Sequence, residues 1–307
     1  TIYGTQAKLQ ADKIKLSETN LIVEKNKLER NVRAIYLELW FTKNKSNLIS
    51  SLEKEYENFA LIAEKKYAIG ETILIEKIAA EGKNEAISLL KSEVELDIKS
   101  LTKQLQLLMN MDISFEISNK NLEKIPFKTF TEENTENPIL LLQQNEIAVI
   151  EREYKLENAK FLPDLSAGYF NQQIEGVKNF SGFEVGLKIP LFFRSQQGKS
   201  QAAKKSAEIA SINYQQTKLE LDAIVQTKLS EYEKQKAALA YYDSTGILLA
   251  DKLFSSAIKA YKEGEIGYVE YIALMEQSIE IRSSYLNALN LHNQTVNEIN
   301  YLTGKYN

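Results

Sequence analysis

The chain has 307 residues, a net charge of −4, no cysteine, one histidine, and only 12 glycines and 4 prolines. These counts exclude a disulfide framework, a thiol nucleophile and a thiolate metal cage. The absence of a basic block removes the electrostatic footprint of nucleic-acid binding. Charged residues, 26% of the chain, are interspersed with Leu, Ile, Ala and Gln, the mix of long solvated amphipathic helices. No apolar run approaches the ~18 residues of a membrane-spanning helix, so any membrane crossing would use strands. The sequence opens at Thr1 with neither an initiator Met nor a signal peptide, which predicts a processed or truncated start.

In chain order, residues 5–68 read as one long helix, preceded by Gly4 and uninterrupted until Gly70. Trp40 on this helix is expected to pack between helices. Residues 73–109 form a second helix whose stripe (Ile87, Leu90, Val94, Ile98, Leu101, Leu105, Leu108) steps by three or four, a coiled-coil-like seam. The short turn around Gly70 makes the two helices antiparallel. Ile113-Ser114-Phe115-Glu116-Ile117 alternates like a short strand, and the polar stretch from Thr129 to Asn137 reads as a connector. Asn137-Pro138 starts a helix, with Asn as N-cap and Pro at the first helical position, running to about Phe161. Asp164–Gln173 reads as a strand with Leu165, Ala167 and Tyr169 on one face. After a loop of Gly, Lys, Asn and Ser, a second strand alternates from Phe183 to Phe193. Such strands have the length and period of outer-membrane strands, and an ordinary half-buried hairpin has the same pattern. A second long helix then runs to about Glu263, which at ~1.5 Å per residue is roughly 95 Å. Residues 268–303 return antiparallel, with two adjacent apolar stripes that call for two packing partners.

The chain repeats itself. The segment Ala63–Glu71 returns, 194 residues later, as Ala257–Glu265, and the match extends through Glu76/Glu270, Ile78/Ile272 and Ala79/Ala273. In each copy a helical pattern meets a Gly, turns and starts a second helical pattern, so the architecture is a duplicated helical hairpin. The domain reading follows: residues 1–110 a first repeat (strand remnant plus long hairpin), 111–137 a connector, and 138–307 a second repeat of helix, β-hairpin over 164–193 and long hairpin. The fold class read from these elements is mainly α, with duplicated long antiparallel helical hairpins and one β-hairpin.

No catalytic constellation is present. A Ser/His/Asp triad would have to use His292, which lies on a helix face beside apolar positions and reads as a packing or hydrogen-bonding residue. Phosphate loops of useful spacing are absent. Glu29/Arg33 is ordinary i,i+4 helix support. The expectation is no enzyme, no cofactor and no resident metal.

The duplicated hairpins and the strand hairpin feeding a long helix resemble the outer-membrane efflux protein family, the TolC-like trimeric exit ducts, in the style of the heavy-metal and multidrug branch. The residues that carry this are Asn137-Pro138-Ile139-Leu140, then Ala159-Lys160-Phe161-Leu162-Pro163-Asp164-Leu165, then Ile189-Pro190-Leu191-Phe192, and the closing hairpin with Tyr261, Gly264, Val269, Val296, Asn300, Leu302 and Gly304. In that family each repeat is helix, two strands and helical hairpin. The counterpart of Pro138 would lie 56 residues before the start of the numbering, so the first helix and most of a strand pair precede Thr1, and Thr1-Ile2-Tyr3-Gly4 reads as the end of that lost hairpin.

The resemblance implies a homotrimer in the outer membrane of a Gram-negative bacterium, its helical hairpins forming an α-barrel and its β-hairpin contributing to a transmembrane β-barrel. Its helical part lies in the periplasm, with a periplasmic adaptor (membrane fusion) protein, an inner-membrane pump of the resistance-nodulation-division type and outer-membrane lipid as partners. It implies passive conduction of small molecules or metal cations. The turns carrying Gly70, Glu71, Gly264, Glu265 and Gly267 would be the periplasmic tip, the gate and the adaptor contact. Glu71 and Glu265 would place six carboxylates around one opening in a trimer, or be solvated turn residues near helix N-termini. Tyr67 and Tyr261 are expected to pack the turns. Tyr169, Phe170, Phe192 and Phe193 form an interfacial aromatic girdle or a soluble β core. A periplasmic adaptor and a structural coiled-coil protein of the cell envelope are the rival readings.

Overall fold

The structure is a computed structural model that describes residues 2–111, 115, 117, 121–127, 137–189 and 193–305. Its elements are α1 (Ile2–Ala68), α2 (Leu74–Leu108), α3 (Pro138–Ala159), β1 (Asp164–Ile174), β2 (Val177–Lys188), α4 (Phe193–Tyr241), a π-helical turn (Tyr242–Gly246), α5 (Ile247–Lys262) and α6 (Tyr268–Leu302). Among the described residues, no helix is long and apolar enough to cross a membrane. The chain divides into two compact units. One takes residues 1–26 and 134–224, the other 27–133 and 225–307.

In the first unit, α3 opens as its sequence predicts. Asn137 is extended, its side chain accepts a 2.8 Å hydrogen bond from the Ile139 amide, and Pro138 fills a position whose N–H would lack a partner anyway. The helix ends at Ala159, two residues before the expected Phe161. It lies antiparallel to α1, with Asn145 donating to Thr19 at 2.8 Å, Arg152 pairing with Asp12 at 2.8 Å and Lys13 with Glu153 at 3.0 Å. It is also antiparallel to α4, where Gln143 donates to Thr217 at 2.9 Å and Ser200 to Asn158 at 2.6 Å. These contacts are largely polar, as suits helices with thin apolar stripes.

The hairpin β1–β2 is antiparallel, with Leu165 opposite Leu187, Ala167 opposite Val185 and Tyr169 opposite Phe183. Its turn needs only Glu175 and Gly176, at φ 47° and 80°. Left-handed conformations at both central residues match the right-handed twist of the flanking strands. The residues expected as a loop are therefore strand, and β2 starts at Val177 rather than Phe183. It ends at Lys188, two residues before Pro190, a residue with no N–H for a ladder. Phe193 begins α4 instead of ending the strand.

One further expectation is corrected, and others fall outside the described residues. Ile2, Tyr3 and Gly4 are helical, so the described part of the expected strand remnant is the first turn of α1. Gly4 is a poor helix former, but the following polar, alanine-containing stretch propagates the helix through it. Thr1, most of the 113–117 strand candidate, residues 129–136 and the Pro190–Phe192 segment lie outside the described residues.

In the second unit, α6 has the two partners that its two stripes require. Against α5, Ser278 donates to the Ala250 carbonyl at 2.8 Å and Arg282 pairs with Asp251 at 2.8 Å. Against α1, the contacts step by four residues on both helices. Glu298 pairs with Arg30 at 3.2 Å, Gln294 donates to the Ala34 carbonyl at 2.9 Å, and Asn290 donates to Glu38 at 2.8 Å. On the other side of α1, Glu53 pairs with Lys91 of α2 at 2.6 Å, and Leu39 packs with Leu105. Val94 and Leu105 of the predicted α2 seam are buried, whereas Leu89, Leu96 and Leu107 face outward.

All four hairpin helices end in the same cap. The Gly70 and Glu71 amides bond to the Tyr67 and Lys66 carbonyls, and the Gly264 and Glu265 amides to Tyr261 and Ala260. Asn110 and Met111 bond to Leu107 and Gln106, and Gly304 and Lys305 to Tyr301 and Asn300. Each is a Schellman motif with a left-handed residue after the helix, at φ 76°, 73°, 49° and 69° in the order Gly70, Gly264, Asn110, Gly304. The equivalent caps are 194 residues apart, and α2 and α6 are both 35 residues long. The duplication thus extends to every cap, beyond the segment where sequence identity shows it.

The hairpins differ in one element. The expected single helix to Glu263 is interrupted by the π turn Tyr242–Gly246, while α1 is continuous at the equivalent place. Gly246 is buried, and a Cβ there would lie 2.8 Å from the Tyr242 ring, so the wide turn is closed by aromatic side chains packed over a residue that has none.

A connecting segment, residues 121–127, is held to these helices by side chains. Asn293 of α6 accepts from the Ile125 amide and donates to the Glu123 carbonyl, both at 2.8 Å, as a neighbouring β-strand would. His292 bonds the Ile125 carbonyl at 3.2 Å. A carbonyl only accepts, so Nε2 carries the proton, and Nδ1 is buried without a partner. Asn44 of α1 accepts from the Leu122 amide at 3.1 Å, Lys124 pairs with Asp243 of the π turn, and Phe127 lies 4.4 Å from Tyr232. Trp40 packs here, on a cluster of Leu122, Leu239, Ala288 and Leu289.

Two outcomes are expected. Asn293→Leu leaves two backbone groups without partners at about 1–3 kcal/mol each, so thermal unfolding should show a clearly lowered Tm, and an unchanged Tm contradicts the clamp. Burial, and then the charge of Lys124, push the His292 pKa down, while the Ile125 bond acts the other way. The folded state thus favours the neutral ring, whereas the unfolded ring titrates near ~6.5. Stability is complete above that pH and declines as pH falls below it. His292→Gln should flatten the fall in Tm between neutral and mildly acidic buffer, and an equally steep fall in the variant refutes the assignment.

Candidate functional site

The two hairpin turns start from the same backbone and diverge in their side chains. Gly70 and Gly264 have open space where a Cβ would sit, so positive φ, not crowding, requires glycine. Gly267 is different. It is the extended N-cap of α6, at φ −80° and ψ 172°, the place Ile73 takes before α2. Glu71 and Glu265 are both exposed, and their amides close the caps. Each carboxylate therefore sits between the end of one helix and the start of the next.

Tyr67 and Tyr261 occupy equivalent positions but not equivalent environments. Tyr67 is on the surface, with the Lys77 ammonium 5.6 Å from its ring centre. Tyr261 is buried against Phe59 and Tyr271 at 5.2 and 4.8 Å, with the Lys66 ammonium 4.9 Å from its ring centre. The buried cluster also holds Ala63, Ala80, Ala257 and Met275, so the second turn rests on an aromatic core. Burial, then nearby Glu55, pushes the Tyr271 phenol up to about 12. Burial, then Glu76, raises Tyr261, and burial, then Glu276, raises Tyr56. All three are neutral across the physiological range.

The apolar surface is equally unequal. Around the first turn Ile69, Ile73, Leu74, Ile75 and Ile78 are exposed, with Ile75 at 73%. Around the second, Val269 is the exposed large aliphatic side chain among the described residues. Sequence reasoning concentrated on the shared Gly-Glu and missed this patch, although four Ile or Leu within residues 69–75 were its signal.

On the strand hairpin, Tyr169 lies 5.4 Å from Phe183 on the face with Leu165, Val185 and Leu187, all exposed. Phe170 lies on the opposite face, its ring over Gly182, where a Cβ would meet it at 2.7 Å. Phe193 stacks on Phe161 at 6.4 Å. Phe192 is outside the described residues. The structure therefore separates the expected aromatic group among two strand faces and the start of α4.

Among the described residues, no group of three or more His, Cys, Asp or Glu is placed to hold a metal ion. The turn glycines give a direct check. Alanine at Gly70 or Gly264 forces a side chain into the left-handed region at about 1–2 kcal/mol. Each variant should lower Tm by a few degrees, with Gly267→Ala, at negative φ and losing only the weaker N-cap preference for glycine, showing a smaller change. Equal losses at all three positions contradict the cap assignment.

No family model and no curated protein matches the sequence. Solved structures do match. The chain is similar to the CmeC outer membrane channel of Campylobacter jejuni at 15% identity, with 99% of this chain and 68% of that one aligned at a TM-score of 0.88. It is similar to the outer membrane protein VceC of Vibrio cholerae at 14% identity, 96% and 74% coverage and a TM-score of 0.80. The open state of the Neisseria gonorrhoeae MtrE outer membrane channel aligns at 13% identity, 98% and 71% coverage and a TM-score of 0.80. These neighbours are channels rather than enzymes. The long duplicated helical hairpins and the strand hairpin of this chain align with the corresponding part of these channels, and the chain has the fold of TolC-like outer-membrane efflux channels over its length.

Proposed function

We propose that the chain is part of an outer-membrane exit duct that works as a homotrimer and conducts exported small molecules or metal cations passively. The observation that carries the reading is the fold, which aligns over nearly the whole chain with outer-membrane channels. The strand hairpin supports it, because a two-stranded sheet with one fully exposed apolar face has no core of its own to cover it. In a closed barrel that face meets lipid.

The second unit supports the trimer. Packing of α6 on α5 and α1, and of α1 on α2, leaves Leu96 and Leu107 of α2 and Leu248 and Leu249 of α5 exposed. Joining one copy's α2 to the next copy's α5 covers both faces, and in the proposed duct three copies join in this way. The hairpin turns then face the periplasm. The apolar patch of the first turn suits an adaptor protein, and the adaptor links the duct to an inner-membrane pump of the resistance-nodulation-division type, which supplies the energy. Glu71 and Glu265 contribute six carboxylates per trimer, a ring that favours cations and whose mutual repulsion assists opening. The second turn, on its aromatic core, is the stiffer of the two.

Single-particle imaging of the full-length protein extracted from membranes should show a threefold tube with one tapered end; a soluble monomer or dimer overturns the duct. In planar bilayers, Glu71→Gln/Glu265→Gln should reduce preference for cations over anions. Unchanged selectivity removes the two carboxylates from the gate without touching the trimer.

A further inference from the structure

Apolar exposure on the strand hairpin does not stop where the strands do. Leu162, Ile189 and Phe193, immediately beyond the helix-proximal end of β1 and β2, are each more than half exposed. Phe193 is braced by its stack on Phe161. At this level the end of α3 and the start of α4 lie side by side. Gln196 donates to the Glu157 carbonyl at 2.7 Å and to its carboxylate at 2.8 Å, and Ser200 donates to Asn158. The backbone is thus fixed by hydrogen bonds while large apolar side chains point outward, an unusual combination for a water-facing surface.

The same level is basic. Residues 155–205 carry eight Lys or Arg against four Asp or Glu, in a chain whose net charge is −4. Lys178, Glu175 and Glu184 belong to the turn and strands of the hairpin rather than to this end, which leaves seven basic residues against two acidic ones, with Lys205 paired to Glu208. Lys160 at the end of α3, and Arg194 and Lys199 at the start of α4, are exposed. Lys160 is paired with Glu157 at 2.5 Å. Burial raises the Glu157 carboxyl, but bonds from Lys160 and Gln196 and the charges of Lys160 and Lys199 outweigh it and hold the group below its ordinary value. Among the described residues, Arg194 and Lys199 form no ion pair of their own. Lys199 acts on Glu157 without a contact ion pair, so its exposed ammonium, like the Arg194 guanidinium, can still meet a ligand.

We propose that this end of the strand hairpin is a collar for anionic phospholipid headgroups, in which Arg194 and Lys199 bind the phosphate and Phe193 and Leu162 sit at the roots of the acyl chains. The inference rests on the strand hairpin lying in a membrane. It adds that the boundary is charge-selective, with a guanidinium forking onto phosphate oxygens and aromatic and basic side chains at one interface level.

The test uses the full-length protein in neutral detergent at low salt, with Tm read after adding phosphatidylglycerol, phosphatidylcholine or inorganic phosphate. Phosphatidylglycerol should raise Tm more than phosphatidylcholine does, and phosphate should not substitute for it. The difference should shrink in high salt and vanish in Arg194→Gln/Lys199→Gln, whose lipid-free Tm should match the unaltered protein. Lys228→Gln/Lys236→Gln, further along α4, should keep the preference. Equal stabilisation by both lipids, equal stabilisation by phosphate, or a preference that survives in Arg194→Gln/Lys199→Gln overturns the collar. Flotation with phosphatidylcholine vesicles separates the two readings. Protein that floats but shows no lipid preference loses only the collar, and protein that stays in the soluble fraction loses the membrane hairpin as well.

Discussion

Helices this long with stripes this narrow have a register problem. Apolar side chains at steps of three and four fit a neighbour equally well after a slide of one turn, so burial alone does not fix how far along its partner a helix sits. The polar ladder between α1 and α6 removes that freedom. Glu298, Gln294 and Asn290 meet Arg30, Ala34 and Glu38 at equal intervals, but the three rungs are chemically different. A slide of one turn would set Leu286 against the Glu38 carboxylate or, in the other direction, the Glu298 carboxylate against the Ala34 carbonyl, two groups that only accept. Specificity here comes from polar groups and adhesion from apolar ones, the division that buried polar residues impose on coiled coils.

The duplication was conserved in backbone and relaxed in side chains. All four helix caps keep the left-handed residue and the spacing of 194, because a hairpin turn with the wrong φ cannot close. Side chains around the caps were free to diverge. One tyrosine is at the surface and its counterpart is buried in a stack of rings, and one turn exposes a cluster of isoleucines that the other lacks. The same backbone turn thus carries two different surfaces, one apolar and one set on a cluster of aromatic rings.

Much of this was legible in the sequence, for physical reasons that can be named. Helices announced themselves through uninterrupted periodicity, Asn137-Pro138 through cap chemistry, and the repeat through its Gly-Glu turn. The stripes of α6 demanded two partners, and α5 and α1 supply them. What escaped was chemistry that acts across long sequence separations or within a helix. The bonds of Asn293 and His292 to residues 123–125 look, in sequence, like stray polar residues in an apolar face, although Asn290, His292, Asn293, Gln294 and Asn297 form a cluster too dense to be accidental. The π turn is invisible to periodicity because it changes one hydrogen-bond step only. The start of β2 was misplaced because Glu175 has no reputation as a turn former, and only the chain reversal shows that two residues suffice. Tyr169 and Phe170 lie on different faces for the simplest reason: they are neighbours in sequence, and neighbours on a strand face opposite ways.

The π turn has a consequence for how such a chain can change length. An added residue in a plain α-helix rotates everything beyond it by about 100°, which would turn the buried face of α5 away from α6 and scramble every downstream contact. A π turn holds an extra residue within one widened loop of backbone, so the helix on either side keeps its orientation. Tyr242–Gly246 is therefore a place where an insertion can be absorbed without re-registering the bundle, and the ring-covered glycine at its end lets the bulge stay packed rather than open to water. Seen this way, the two hairpins need not have been of equal length in their history to end with equivalent tips.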